Sequence, residues 1–249
     1  MDKHLFKKAE NAFAKEHSEL SDFSLHLKKW TDENLPDMYD NNAFEYFDGI
    51  SGEELLKALK FQQEKGDTFL KLEGDFPLPA DLVSKFGLSA YTTLTMALPA
   101  DFKPSWTINT SLIVKDSKQC VFYKDYLDLE LYNYGSIYGE DFCRRKIHKE
   151  WEMSEEKPEF HIIGGFFDNQ LVSACHIFEY ENTVCLDGLQ TKPFYRNNHF
   201  ATTLIKYIND NFPGILFLHA DAEDTPKDMY SKMGFQTLDT IFEYLLKWE

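Results

Sequence analysis

Between Val184 and Ala201 an apolar, strand-like run passes into a polar loop, Arg196-Asn197-Asn198-His199-Phe200-Ala201. A segment follows in which Ala201, Leu204, Ile205 and Ile208 recur at helical spacing. Strand, polar loop and helix start, in that order, can receive an anion. The first turn of a helix has backbone N–H groups with no partner inside the helix, and its aligned peptide dipoles place partial positive charge there. A phosphate or pyrophosphate suits such a start. Arg196, at the head of the loop, can add charge-assisted hydrogen bonds.

The elements that would position this loop read as follows. In the second half, Ile108 to Lys115 is a strand candidate. Tyr126 to Trp151 is helical, broken near Gly135 to Gly139, and Ser154 to Pro158 is a polar break. His161 to Phe167, a turn at Asp168-Asn169, and Leu171 to Glu179 form a hairpin, with Val184 to Thr191 as a third strand. The helix opening at Ala201 ends at Pro213-Gly214. Ile215 to Ala220 is a strand, Thr225 to Gly234 a capped helix, and Leu238 to Trp248 the last strand. In the first half, residues 1–19 read as a charged helix, Leu20 to Trp30 as its extension or a strand, and Ala43 to Phe47 as a short strand. Ser51 and Glu54 form a capping box before a helix. Phe69 to Leu72 is a strand, Pro79 to Phe86 a short helix ended by Gly87, and Tyr91 to Leu98 a strand. Pro99 to Pro104 reads as a linker, which divides the chain into domains 1–104 and 105–249.

The two halves share a pattern. At an offset of 147 residues, Phe69–Leu98 aligns without a gap on Leu216–Leu245, and seven of thirty positions agree, among them Pro79/Pro226, Ser84/Ser231 and Gly87/Gly234. Because the identities fall on helix starts and stops, they favour a duplicated half-fold over two unrelated strand–helix–strand units.

The loop resembles the signature of the GNAT superfamily of acyl-CoA N-acyltransferases, Arg/Gln-x-x-Gly-x-Gly/Ala between a strand and a helix. Arg196 and Ala201 match its ends, and His199 stands where glycine is usual. Met229-Tyr230-Ser-Lys-Met-Gly234-Phe235 is similar to the superfamily's Leu-Tyr-x-x-x-Gly-Phe. The resemblance covers roughly residues 106–249. It implies an α+β fold with a central mixed, mostly antiparallel sheet flanked by helices, here with an N-terminal partial repeat of the same fold. It also implies acetyl-CoA as co-substrate, its pyrophosphate held by Arg196, Asn197, Asn198, His199, Phe200, Ala201 and Thr202, and its pantetheine arm along Leu189 and Thr191. Tyr230 matches the family's acid, which protonates the leaving thiolate; a core tyrosine with a satisfied hydroxyl is the alternative. Asp187 and Glu179 are the candidate bases for the amine, with a solvated strand-edge carboxylate as the alternative for each. Glu223 stands near where family members often carry Asn.

Totals bound the rest. A net charge of −16 excludes a nucleic-acid footprint and adsorption to anionic membranes, and suits a cationic amine acceptor, whether a small molecule or a peptide. The charged N-terminus has no apolar signal core, and Cys175 and Cys185 read as buried reduced thiols, so a cytoplasmic protein is expected. His161, His176 and His219 lack paired ligand spacing and read as structural, so no metal is expected. Two alternatives stand beside the enzyme: a catalytically degenerate GNAT that binds acyl-CoA or a partner protein, and an interaction protein whose N-terminal half forms a homodimer.

Overall fold

The computed structural model describes residues 3–248. In chain order its elements are α1 (Lys3–His17), β1 (Glu19–Ser24), β2 (Leu27–Thr31), β3 (Phe44–Tyr46), α2 (Gly52–Lys65), β4 (Phe69–Gly74), α3 (Ala80–Phe86), β5 (Ser89–Ala97), β6 (Ile113–Asp116), α4 (Tyr123–Tyr138), α5 (Glu140–Glu156), β7 (Phe160–Phe167), β8 (Gln170–Tyr180), β9 (Thr183–Thr191), α6 (Phe200–Asn211), β10 (Ile215–Asp221), α7 (Pro226–Lys232) and β11 (Gln236–Lys247). They form two compact units that alternate along the chain. The first takes residues through Ala9, Ala97–Leu218 and Tyr230–Gln236; the second takes Glu10–Met96, His219–Met229 and residues from Thr237 on.

In the first unit the strands lie in the order β10-β9-β8-β7-β6. Asp168 and Asn169 both adopt positive φ, 49° and 60°, as a two-residue turn matched to strand twist requires, and they join β7 to β8. β9 runs antiparallel to β8, and α6 carries the chain over to β10, parallel to β9. Helices α4 and α5 meet at Gly139 and pack on each other and on β8 and β7, while α6 packs on β7, β8 and β9. The core between these layers includes Leu129, Ile147, Phe160, Ile162, Val172, Ile177, Leu204 and Ile208, all fully buried.

In the second unit β1, β2 and β3 are antiparallel neighbours, β3 is parallel to β4 through α2, and β11 pairs antiparallel with β4. Leu27, Phe44, Tyr46, Leu55, Leu70, Leu72 and Tyr244 fill its core.

The duplicated pattern is borne out in conformation. Gly87 N–H bonds to Ser84 O and Leu88 N–H to Val83 O; 147 residues on, Gly234 N–H bonds to Ser231 O and Phe235 N–H to Tyr230 O. Each half also contains a parallel strand pair bridged by one helix, β3-α2-β4 and β9-α6-β10. The expected strand over 108–115 shortens to β6. Asn109 Oδ1 accepts the Ser111 N–H and Asn109 O accepts the Leu112 N–H, which turns the chain before it can pair. The expected break at Ser154 is helix instead, since α5 continues to Glu156 and the Ser154 hydroxyl donates back to Trp151 O. Leu20 to Trp30 is a hairpin of β1 and β2 rather than a helical extension.

Candidate active site

All of the expected site residues lie in the first unit. After β9 the chain makes a short 3-10 turn, Pro193–Tyr195, and then the loop to α6. Asn197 and His199 both hold left-handed backbone, with φ of 63° and 61°. His199 is the N-cap residue of α6 and makes no capping bond with its side chain. Its carbonyl accepts both the N–H and the hydroxyl of Thr203, leaving the N–H groups of Phe200, Ala201 and Thr202 to partners outside the helix. Asn198 pins the loop by donating to Tyr195 O and Arg196 O, and Asn109 Nδ2 donates to Asn198 O. Arg196 is exposed and reaches back to Thr191 O at 3.3 Å. The Phe200 ring is buried against Phe167, so only the backbone of Phe200 faces a ligand. A cationic side chain beside outward N–H groups is the donor set that a pyrophosphate needs.

The second feature is a bulge in β9. Ala174 pairs with Gln190 and His176 with Asp187, so Gly188 and Leu189 together oppose Cys175. Gly188 has φ of 61°, and a Cβ there would lie 2.9 Å from His176 Cε1, so only glycine fits. The bulge falls where β9 loses its other neighbour. The parallel register with β10 ends at Leu186 opposite Leu218, while β9 continues to Thr191. Backbone groups from Asp187 to Thr191 on that edge are therefore available to an extended ligand, and Leu189 and Thr191 are both half-buried there. Thr191 is tied by its hydroxyl to Ser173 Oγ at 2.8 Å.

Beside the bulge lies a buried polar network that α4 and α5 contribute. Tyr126 donates to Glu150 Oε2 at 2.6 Å, and Lys146 Nζ sits 2.9 Å from Glu150 Oε1 and 3.1 Å from Glu130 Oε1. Gln190, on β9, donates to Glu130 Oε2 at 2.8 Å and accepts from Asn133 Nδ2 at 2.7 Å. Burial disfavours the Lys146 charge, but Glu150 and Glu130 outweigh it and raise the ammonium above the usual lysine range. Burial also opposes the Glu150 carboxylate, and Lys146, His176 and Tyr126 overcome it, so its pKa is lowered. His176 Nε2 lies 3.4 Å from Asp187 Oδ2, and Asp187 Oδ1 accepts the Gly188 N–H at 2.7 Å. Tyr230 is buried, its ring packed on Phe235, and burial, followed by the neighbouring Cys175 and Asp187, pushes its hydroxyl well above the ordinary tyrosine range. It therefore stays protonated at neutral pH.

Several known structures share this architecture at low sequence identity. A functionally unknown conserved protein from Staphylococcus epidermidis superposes with a TM-score of 0.73 at 13% identity, covering 93% of this chain and 95% of that one. A GCN5-related N-acetyltransferase from Kribbella flavida gives 0.63 at 12% identity over 96% and 93% of the two chains. The fold is that of the GNAT superfamily. A tandem GNAT protein from the clavulanic acid biosynthesis pathway also matches, with a TM-score of 0.56 at 11% identity over 89% of this chain and 78% of that one, as suits a GNAT fold with a partial internal repeat. No protein-family model and no curated protein matches the sequence.

Within this GNAT fold the expected residues separate into two groups. Asp187, Leu189 and Thr191 cluster on the open stretch of β9, Tyr230 lies within the field of Asp187, and Arg196 to Thr202 form the adjoining loop and helix start. Glu179 stands apart. It is paired opposite Val184, where β9 is still flanked by β10, and its carboxylate faces His161 Nε2 at 3.4 Å. Sequence reasoning treated His176 as structural and passed over Glu130, Lys146, Glu150 and Gln190. The available signal was on the helices: Tyr126 and Glu130, then Lys146 and Glu150, are spaced by four on the faces that carry Leu129 and Ile147.

Among the described residues no helix is long and apolar enough to cross a membrane. Cys143 and Cys175 are buried free thiols, and burial with the nearby Asp187 raises the Cys175 thiol far above its ordinary range.

Proposed function

We propose that this protein is an N-acetyltransferase that uses acetyl-CoA to acylate a primary amine of a small molecule or peptide by direct attack. The observation that carries this reading is the meeting, in one GNAT-fold unit, of the β9 bulge, the open edge beyond Leu186 and the outward N–H groups of α6. Arg196 and the N–H groups of residues 200–202 would hold the pyrophosphate, and Leu189 and Thr191 the pantetheine arm. Asp187, with its side chain 59% exposed beside the bulge, takes the first proton from the acceptor ammonium. The freed amine attacks the thioester carbonyl; a C–N bond forms and the C–S bond breaks. Tyr230 gives its proton to the leaving thiolate and is re-protonated by the proton that the new amide nitrogen sheds. The exposed carboxylate of Asp187 and the net charge of −16 favour a cationic acceptor. We place the activity in the cytoplasm, on the strength of the buried free thiols.

A second reading, a GNAT fold that binds acyl-CoA without transferring it, is favoured by Glu223 where Asn is frequent in the superfamily. Tyr230→Phe distinguishes the two. The transferase reading expects CoA release against an amine panel to fall on the order of 100-fold while acetyl-CoA affinity holds, the size expected for loss of a general acid. Affinity with no turnover in the unaltered protein would establish the second reading instead.

A further inference from the structure

The irregular strap from Leu98 to Leu112 reaches the loop before α6 at Asn109, and strap and loop both lie in the first unit. Asn109 holds the two peptides that flank His199. Its Nδ2 donates to Asn198 O at 3.1 Å, which fixes the peptide entering His199. Its backbone N–H donates to Thr203 Oγ1 at 2.9 Å, and that hydroxyl donates in turn to His199 O at 2.7 Å, which fixes the peptide leaving it. Because each peptide is planar, the orientations of these two set φ and ψ of His199. The Asn109 amide has one orientation that satisfies its neighbours, since its Oδ1 accepts the Ser111 N–H at 3.0 Å.

The strap is itself anchored on both sides of Asn109. Upstream, Trp106 Nε1 donates to Met233 O at 2.8 Å, and the Phe102 ring fills the place that a Cβ on Gly234 would need. Downstream, Asn109 O accepts the Leu112 N–H, and buried Leu112 packs on Gly165 of β7, where a Cβ would come within 2.9 Å of its side chain. The bonds from Asn198 to Tyr195 O and Arg196 O tie the stretch of loop ahead of His199.

We propose that Asn109 is a positioning residue for the acyl-CoA pyrophosphate: it holds His199 in the left-handed backbone that glycine would adopt unaided, and so aims the N–H groups of Phe200, Ala201 and Thr202 at the ligand. The purpose of this clamp rests on the transferase reading. Left-handed backbone is disfavoured for a residue with a Cβ, and the His199 side chain makes no capping bond to compensate. Without the clamp His199 returns to right-handed or extended backbone for most of the time, and the first turn of α6 loses its aim. Asn109 acts through the backbone of the loop and touches no reacting atom, so its loss changes binding and spares the chemical step.

A double-mutant cycle of Asn109→Ala and His199→Gly, read by calorimetric titration with acetyl-CoA, tests the clamp. Asn109→Ala should weaken acetyl-CoA about tenfold, the net worth of one such hydrogen bond, and raise its KM while leaving kcat within about twofold. Thr203→Val, which removes the hydroxyl bridge, should weaken it in the same direction. In the His199→Gly background Asn109→Ala should cost less than about threefold, because glycine takes left-handed backbone unaided. An equal loss in both backgrounds overturns the clamp, since Asn109 would then act on something other than the His199 backbone. Unchanged affinity in Asn109→Ala, or a fall in kcat with affinity intact, overturns it as well. The same cycle in urea reads the clamp without ligand: the stability lost in Asn109→Ala should shrink in the His199→Gly background, and strictly additive changes overturn it. An unaltered protein that binds no acetyl-CoA up to millimolar concentration overturns the transferase reading, and the clamp falls with it as a co-substrate device.

Discussion

His199 occupies a position where the backbone asks for glycine, and replacing it shows how the loop is held. Its φ of 61° is left-handed, the side chain is exposed, and it makes no capping bond. His199→Gly therefore removes strain and almost nothing else. Left-handed backbone costs a residue with a Cβ about 1–2 kcal/mol. Glycine's greater freedom in the unfolded chain takes back about 0.4–1 kcal/mol. The net expectation is a gain of about 0.5–1 kcal/mol, or about 1–4 °C in melting temperature for a chain of this length. His199→Val should move the other way, because a β-branched residue is a marked outlier at positive φ. Both variants would be melted with and without acetyl-CoA. The carbonyl that accepts from Thr203 is backbone and survives both changes, so acetyl-CoA affinity should hold or rise in the glycine variant. A glycine variant less stable than the histidine protein, or a valine variant as stable, would refute the strain argument. A loss of affinity in the glycine variant would mean that the imidazole itself contacts the ligand.

Other changes probe the same framework. Gly188→Ala forces a Cβ to within 2.9 Å of His176 and into left-handed backbone, so it should cost about 1–2 kcal/mol and reduce turnover more than acetyl-CoA affinity; calorimetry and CoA-release kinetics would separate the two. Glu54 caps α2 and accepts from Ser24, His26 and Ser51; burial opposes its charge, but these bonds hold its pKa at about 2. Its contribution is therefore complete above the unfolded glutamate's range and lost as pH falls toward 2. Glu54→Gln should cost about 1.5–3 kcal/mol at pH 7 and flatten the acid limb of urea stability. A pH profile that keeps its shape in that variant would remove Glu54 from the account.

Much of the frame was legible because it is written in local chemistry. Asp168-Asn169 specified its hairpin, Ser51 and Glu54 their cap, and the Ser-Lys-x-Gly stops the repeat, each from contacts a few residues apart. At the start of α2 the Ser51 hydroxyl receives the Glu54 N–H and the Glu54 carboxylate receives the Ser51 N–H, the reciprocal pair that the sequence predicts. The acidic network was legible only as a spacing. Glu130, Lys146 and Glu150 share only a helical spacing of four, and it is the packing of α4 on β8 and of α5 on α4 and β7 that turns them inward. His176 became informative only once register placed it opposite Asp187. The pairing of β11 with β4 links residues about 170 apart, a distance over which neither periodicity nor turn chemistry carries information. For Glu179 the strand was read correctly; its distance from the open edge depends on where the β9–β10 ladder stops, which is likewise a tertiary fact.

Calorimetric titration with acetyl-CoA, with ATP and desulfo-CoA as controls, asks whether β9 and the start of α6 receive the co-substrate. Micromolar affinity for acetyl-CoA is expected, weakened at least tenfold by reversing the charge of the exposed Arg196 in Arg196→Glu, with the fold intact by circular dichroism. No heat of binding up to millimolar acetyl-CoA, or an affinity indifferent to Arg196→Glu, would contradict it.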